Sequence, residues 1–356
     1  GIIVLSVAIL PMFGLGGMQL YSAEVTGVSY EKLSPRIADT AKQMWLTYIA
    51  LTITQIALLT LEGMPLFDSI CHSLSTISTG GFSTRNDSMI SYNAAIQWTT
   101  AIFMFLSGIN FTQLIYLFRG KPQRLFKDEE TRWYAIAVLI ATLFLSLGLF
   151  IHYEIGHDIS KIVEMENFFA TVERSLRKGF FMVCTAMTST GFAASDYMTW
   201  PKLLWVFVFF LMFTGASSGS TAGGIKWVRI GIFAKSALTE IKRRIHPNAV
   251  IPVRFNGHIV REQTTSNIMA FMFFYLAIIV VAVLIFCASG VAFDEAIGTA
   301  VSAVGNVGVS IGQFGPSGTY ADYPTVAKWT ATLVMLIGRL EIFTILLLFS
   351  RSLWKK

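Results

Sequence analysis

The sequence predicts an all-α integral membrane protein built of repeated units, each a spanning helix, a short helix entering a loop, and a second spanning helix. Three observations predict it. Only 13% of the 356 residues are charged and 54% are apolar, whereas soluble domains carry about 25% charged residues. Apolar runs near the roughly 20 residues a span needs recur at Gly1–Leu20, Met44–Leu61, Tyr134–Ile151, Leu203–Phe213, Ile268–Ala288 and Thr330–Phe349. Finally, short polar loops containing glycine fall at matched places between them, the first reading STISTGGFST from Ser75 to Thr84.

Taken in order, the first run opens the chain with Gly1 and lacks a preceding basic stretch or cleavage site, so it reads as the remainder of a longer chain and not as a signal peptide. Three units follow. One has Met44–Leu61, an amphipathic Phe67–Ile77, the loop Ser78–Thr84 and a helix over Asn93–Phe118. The next has Trp133–His152, Val172–Met187, the loop Thr188–Ala194 and a helix from Trp200. The last has Thr265–Ala288, Phe293–Val304, the loop Gly305–Gly312 and Val326–Trp354. The short segments cannot span, so each loop should return to the side it came from and both ends of every unit should share one side. This divides the chain at 1–43, 44–132, 133–264 and 265–356.

Charge agrees with that division. The net +6 does not describe a nucleic-acid surface, because the basic residues gather at unit ends: Arg119 to Arg132, Lys226 through Lys242-Arg243-Arg244 to Arg261, and Arg351 to Lys356. Positively charged loops stay on the cytoplasmic side. Ser289–Thr325, by contrast, holds no Lys or Arg. Cys71, Cys184 and Cys287 stand singly, without metal-binding spacing, and read as small buried apolar residues.

Irregular backbone at membrane depth is tolerated only inside protein or beside a watery cavity. Three such loops argue for one shared axis. In register they read Ser78-Thr79-Gly80, Ser189-Thr190-Gly191 and Asn306-Val307-Gly308. Glycine admits positive φ, which lets successive carbonyls converge and replace the hydration shell of a cation. A neutral oxygen cage suits an alkali ion better than Ca²⁺, which recruits carboxylates. Asp87 and Asp196 lie just outside the loops, where they would attract cations.

Further features bear on control of such a path. Phe213–Lys226, FTGASSGSTAGGIK, sets Gly215, Gly219, Gly223 and Gly224 among Ser217, Ser218, Ser220 and Thr221. Glycine in a helix costs about 1 kcal/mol relative to alanine, so an open segment is expected there, with a small-residue helix interface as the alternative. Arg339 lies about 22 Å along its helix from Pro324 at 1.5 Å per residue, inside an apolar run. A charge at that depth is costly and should face the interior or cap loop carbonyls. Gln97, Thr100, Ser107 and Asn110 read as one polar stripe for interhelical hydrogen bonding, with pore lining as the alternative.

The stretches STISTGGFST, TAMTSTGFAASD, GASSGSTAGGIK, NVGVSIG and GRLEIFT resemble the Trk/Ktr/HKT superfamily of potassium transporters, most closely its bacterial TrkH type, over essentially the whole chain. The resemblance implies K⁺-channel-like units around a central pseudo-fourfold ion path, the three loops as a K⁺ filter, Phe213–Lys226 as a gate beneath it, and Arg339 as a gating charge. It implies K⁺ as the transported ion, a multi-pass bacterial inner-membrane location, a homodimer and a TrkA-like cytosolic subunit that binds NAD or ATP. The chain itself shows no dinucleotide fingerprint. Gly1–Leu20 resembles the second helix of a first unit whose filter is absent from the sequence, so this chain alone is expected not to conduct while its intact parent does.

Two other readings compete. A sodium-coupled Ktr-type transporter shares the loops. An intramembrane serine hydrolase could use Gly215-Ala216-Ser217-Ser218-Gly219, which fits G-x-S-x-G, but no histidine is placed beside Ser217 to act as its base. A carrier with inverted repeats fits less well, because these units run in one orientation.

Overall fold

The computed structural model describes residues 37–156, 165–316, 318–340 and 342–348. The first apolar run, the basic C-terminus and Glu341 lie outside the described residues.

The regular structure of the described residues is helical apart from one short hairpin. Helix α1 (Ile37–Leu61) leads through Gly63, in the left-handed region, to α2 (Leu66–Ile77), which folds back on α1. After the first loop come α3 (Ala94–Ser107), α4 (Phe111–Phe118) and the short α5 (Pro122–Lys127). Helix α6 (Glu129–Gly156) pairs with α7 (Met165–Met187). The second loop follows, then α8 (Lys202–Leu211), a long non-helical excursion, and α9 (Trp227–Ile245). Helix α10 (Glu262–Ala288) packs on α11 (Phe293–Gly305), and the third loop leads to α12 (Thr325–Arg339) and α13 (Ile342–Leu348).

Among the described residues three helices are long and apolar enough to cross a membrane, over Lys42–Leu61, Glu129–His152 and Glu262–Ala288. Only 28%, 39% and 28% of these windows are buried, leaving broad apolar faces such as Phe273, Leu276, Val280 and Leu284 on α10. In water these faces would be untenable; against lipid they are solvated.

The structure corrects three helices of the sequence reading. Asn93–Phe118 is not one span: α3 and α4 meet at 108°. Asn110 caps α4, accepting from the Thr112 N–H at 2.8 Å, so it leaves the predicted stripe. Thr100 and Ser107 bond carbonyls of their own helix, while Gln97 donates to the Met89 carbonyl at 2.9 Å. Gly108 sits at the corner because a Cβ there would overlap the Tyr134 hydroxyl.

A second correction concerns α7, which begins at Met165 and has 23 residues in place of the short Val172–Met187. The added turns, Met165–Thr171, precede that segment, and within it Arg177 and Glu173 pair at 2.8 Å. Thirdly, Val326–Trp354 breaks at Leu340 between α12 and α13.

Beyond α9, Arg254–Phe255 and His258–Ile259 form an antiparallel hairpin around Asn256-Gly257, both at positive φ (49° and 77°). Asn-Gly is the preferred pair for such two-residue turns. Phe255 packs with Val228, Ile232, Val253, Val260 and Ile268 in a small separate core. A Cβ at Gly231 would lie 2.9 Å from the Phe255 ring. Gly231→Leu is therefore expected to dislodge Phe255 and speed tryptic cleavage at Arg254 or Arg261 several-fold, measured on the purified protein in detergent; unchanged cleavage would show that the hairpin does not depend on this seat.

Candidate ion path and intramembrane loop

The three loops share a backbone. The helices α2, α7 and α11 each run into a residue in the left-handed conformation, Thr79 (φ 53°), Ser189 (φ 53°) and Asn306 (φ 56°). Two residues on stands a glycine at positive φ: Gly81 (71°), Gly191 (87°) and Gly308 (99°). The residue between donates its N–H five residues back, Gly80 to Ser75 at 2.7 Å, Thr190 to Thr185 at 3.0 Å and Val307 to Ser302 at 2.9 Å.

This geometry corrects the register read from the sequence. The counterpart of Ser189-Thr190-Gly191 and Asn306-Val307-Gly308 is Thr79-Gly80-Gly81, not Ser78-Thr79-Gly80. Ser78 is still a right-handed helix cap (φ −79°), its N–H bonded to the Leu74 carbonyl. The repeated word STG in two loops concealed the shift, since backbone conformation and not residue identity sets the equivalence.

The loops also abut in chain order. A Cβ at Gly81 would overlap the Thr190 carbonyl oxygen, and one at Gly191 would overlap the Val307 carbonyl oxygen. Gly308 has open space at that position among the described residues. Ser75 braces the first loop through the Phe82 N–H at 2.6 Å. Buried His72 reinforces it, Nε2 meeting Ser83 Oγ at 2.9 Å and Nδ1 the Asp68 carbonyl at 2.7 Å. Sequence reasoning missed His72; its position on the buried side of an amphipathic helix was the available signal.

The non-helical excursion after α8 lies against these loops. Its neck closes where Gly215 N–H donates to the Ile225 carbonyl at 2.8 Å and Ile225 N–H to the Phe213 carbonyl at 3.2 Å. At its tip the Thr221 carbonyl accepts from Thr79 Oγ1 at 2.9 Å and from Arg339 Nη1 at 3.0 Å, while Thr221 Oγ1 donates to the Ile77 carbonyl at 3.0 Å. Gly223 N–H donates to Ser189 Oγ at 3.1 Å, and a Cβ there would meet the Gly305 carbonyl. One segment thus touches the first, second and third loops.

The excursion also accounts for the α3–α4 corner. Ser217 N–H takes the Gly108 carbonyl at 3.0 Å, and Phe111 N–H donates to the Gly219 carbonyl at 3.2 Å, so backbone groups freed by the bend are satisfied, as burial requires. Gly215, Ser217, Ser218, Gly219, Ser220, Thr221, Gly223 and Gly224 all lie in this segment; Arg339, at the last turn of α12, reaches it from outside. Ser217 Oγ has no hydrogen-bond partner among the described residues, so no base is joined to it as a hydrolase would need. Sequence reasoning missed Glu130, whose carboxylate accepts from Ser218 N–H and Ser218 Oγ, both at 2.6 Å.

Among the described residues no cluster of His, Cys, Asp or Glu could hold a metal, and the three cysteines are free. What converges is peptide oxygen, hydroxyl and one guanidinium. Together with the apolar outer faces, this defines a helical membrane protein.

Its particular kind follows from its likeness to known proteins. The TrkH family, described as cation transport protein, matches residues 1–356. The Trk system potassium uptake protein TrkH of Salmonella typhimurium is 36% identical over 359 residues, covering 100% of this chain and 71% of that protein. The Trk system potassium uptake protein TrkG of Escherichia coli is 34% identical, covering 100% and 70%. The crystal structure of the potassium transporter TrkH from Vibrio parahaemolyticus superposes with a TM-score of 0.81 at 32% identity, over 100% of this chain and 70% of that one. The chain belongs to the TrkH family. These relatives are named as transport proteins, not enzymes.

Proposed function

We propose that this chain carries three loops of a potassium pathway in a bacterial inner-membrane uptake protein. Carbonyls of Thr79-Gly80-Gly81, Ser189-Thr190-Gly191 and Asn306-Val307-Gly308 face one axis and replace water around a K⁺ ion. The segment 213–226 closes the path below them, and Arg339 adds a positive charge that opposes K⁺ while the segment is in place. The observation that carries this reading is the repeated left-handed residue and positive-φ glycine in three loops that abut through peptide oxygens. The uptake role also rests on the names of the relatives.

A homodimer and a TrkA-like nucleotide-binding subunit on the basic face complete the proposal; the Lys/Arg-rich arm formed by α9 and the hairpin offers the surface. The intact protein in liposomes, assayed by ⁸⁶Rb⁺ influx, tests it. Competition by K⁺ and Rb⁺ and little by Na⁺ is the expected result, and equal competition by Na⁺ would refute the filter. Stimulation by Na⁺ at fixed K⁺ would instead support the sodium-coupled Ktr-type alternative.

A further inference from the structure

The run Asp128-Glu129-Glu130, at the start of α6, ties together two structures that are far apart in sequence. Glu129 faces the hairpin. Its carboxylate accepts from Asn256 N–H at 2.9 Å and pairs with the Lys235 ammonium. In return Asn256 Oδ1 accepts from Glu129 N–H at 2.6 Å, and Asn256 Nδ2 donates to Asp128 Oδ1 at 2.9 Å. Lys235 Nζ also donates to the Arg254 carbonyl at 3.0 Å, so α9 and the hairpin are held as one arm.

Glu130 is only 5% exposed and faces the intramembrane segment. Its Oε1 accepts from Ser218 N–H at 2.6 Å and Val228 N–H at 3.1 Å, and its Oε2 from Ser218 Oγ at 2.6 Å. Ser218 is on the outgoing limb of the segment and Val228 in the first turn of α9 after its return. One carboxylate therefore clasps both limbs beyond the backbone pairs of the neck. Consecutive residues on a helix diverge by about 100°, which is why neighbours can hold the arm and the segment separately.

We propose that Asp128, Glu129 and Glu130 form the junction through which the position of the basic arm sets the position of the intramembrane segment, with Glu130 as its positioning residue. The proposal rests on the reading of residues 213–226 as the gate and of the basic face as cytoplasmic. Charge-assisted hydrogen bonds are the strong ones, and buried donors left without an acceptor are costly. So long as the arm seats Glu129, Glu130 stays aligned with its three donors and the segment remains against the loops. Displacing the arm disturbs the first turn of α6 and loosens the clasp.

The test uses the intact protein in liposomes and reads ⁸⁶Rb⁺ influx per reconstituted molecule with its K⁺/Na⁺ preference. Glu130→Gln is expected to raise influx roughly tenfold, Glu129→Gln roughly threefold, and the double variant no more than Glu130→Gln alone, since both act through one junction. The ion preference should not move. Ser218→Ala removes a single donor and should raise influx roughly threefold even if the Glu130 variant fails to fold. Unchanged influx in Glu130→Gln and Ser218→Ala, or multiplicative effects in the double variant, overturns the junction. A variant lacking residues 218–222 separates the two readings. If it leaves influx unchanged, the gate reading fails; if it raises influx while the Glu130 and Ser218 variants do not, the junction alone is lost.

Discussion

Gly191→Ala in the intact protein is expected to reduce K⁺-selective uptake at least a hundredfold. Gly191 has φ 87°, a region that costs an L-residue roughly 1–2 kcal/mol. The added Cβ would also overlap the Val307 carbonyl oxygen, one of the atoms proposed to face the ion. Relief requires rotating that peptide or separating the second and third loops, and either change spoils a cage whose oxygens must converge. Gly308→Ala supplies the internal comparison. Its φ is 99°, but no described atom lies within 4 Å of the new Cβ, so it bears the backbone penalty without the collision and should lose roughly tenfold, following its roughly 1–2 kcal/mol. Growth on low K⁺ together with ⁸⁶Rb⁺/Na⁺ competition checks both. Equal, mild effects at the two positions would mean that the oxygens between loops are not in the path.

Arg339→Ala is expected to act in the opposite direction and raise K⁺ influx per molecule roughly tenfold, the equivalent of one charge-assisted hydrogen bond of about 1.5 kcal/mol. Arg339 donates to the Thr221 carbonyl at 3.0 Å, which also accepts from Thr79 Oγ1. Removing the guanidinium loosens the tip of the intramembrane segment and takes a positive charge away from the proposed path, so both consequences favour passage. Arg339→Lys separates them, because lysine keeps the charge but reaches as a flexible ammonium in place of a fixed planar fork; it should give an intermediate influx. A fall in protein yield with unchanged influx per molecule would leave Arg339 a structural cap alone.

How far the sequence could be read depended on which forces set each feature. Apolar runs located α1, α6 and α10, although the helices start before the runs at Ile37, Glu129 and Glu262, because lipid exposure needs only composition while polar first turns do not show in it. The glycine-containing loops were visible as interruptions of those runs. Their register was not: STG at Ser78 looks like STG at Ser189, yet α2 keeps Ser78 in its last turn and the left-handed residue falls at Thr79. The corner at Gly108 was hidden as well, because its carbonyl finds the Ser217 N–H from a segment more than a hundred residues onward. Glu130 gave no signal beyond one more acid beside a basic cluster, since the meaning of a carboxylate lies in its donors. The Asn256-Gly257 turn, by contrast, was legible in principle as a hairpin signal.

The amino-acid order by itself determined that this protein is helical and membrane-embedded, and which short stretches must leave the helix, because hydropathy and glycine content act locally. Only the tertiary structure decided which residues of those stretches correspond, where the second helices bend, and what Arg339 and Glu130 hold. Those outcomes depend on hydrogen-bond partners supplied by distant segments. A buried carbonyl or carboxylate must be satisfied by whatever the fold brings to it.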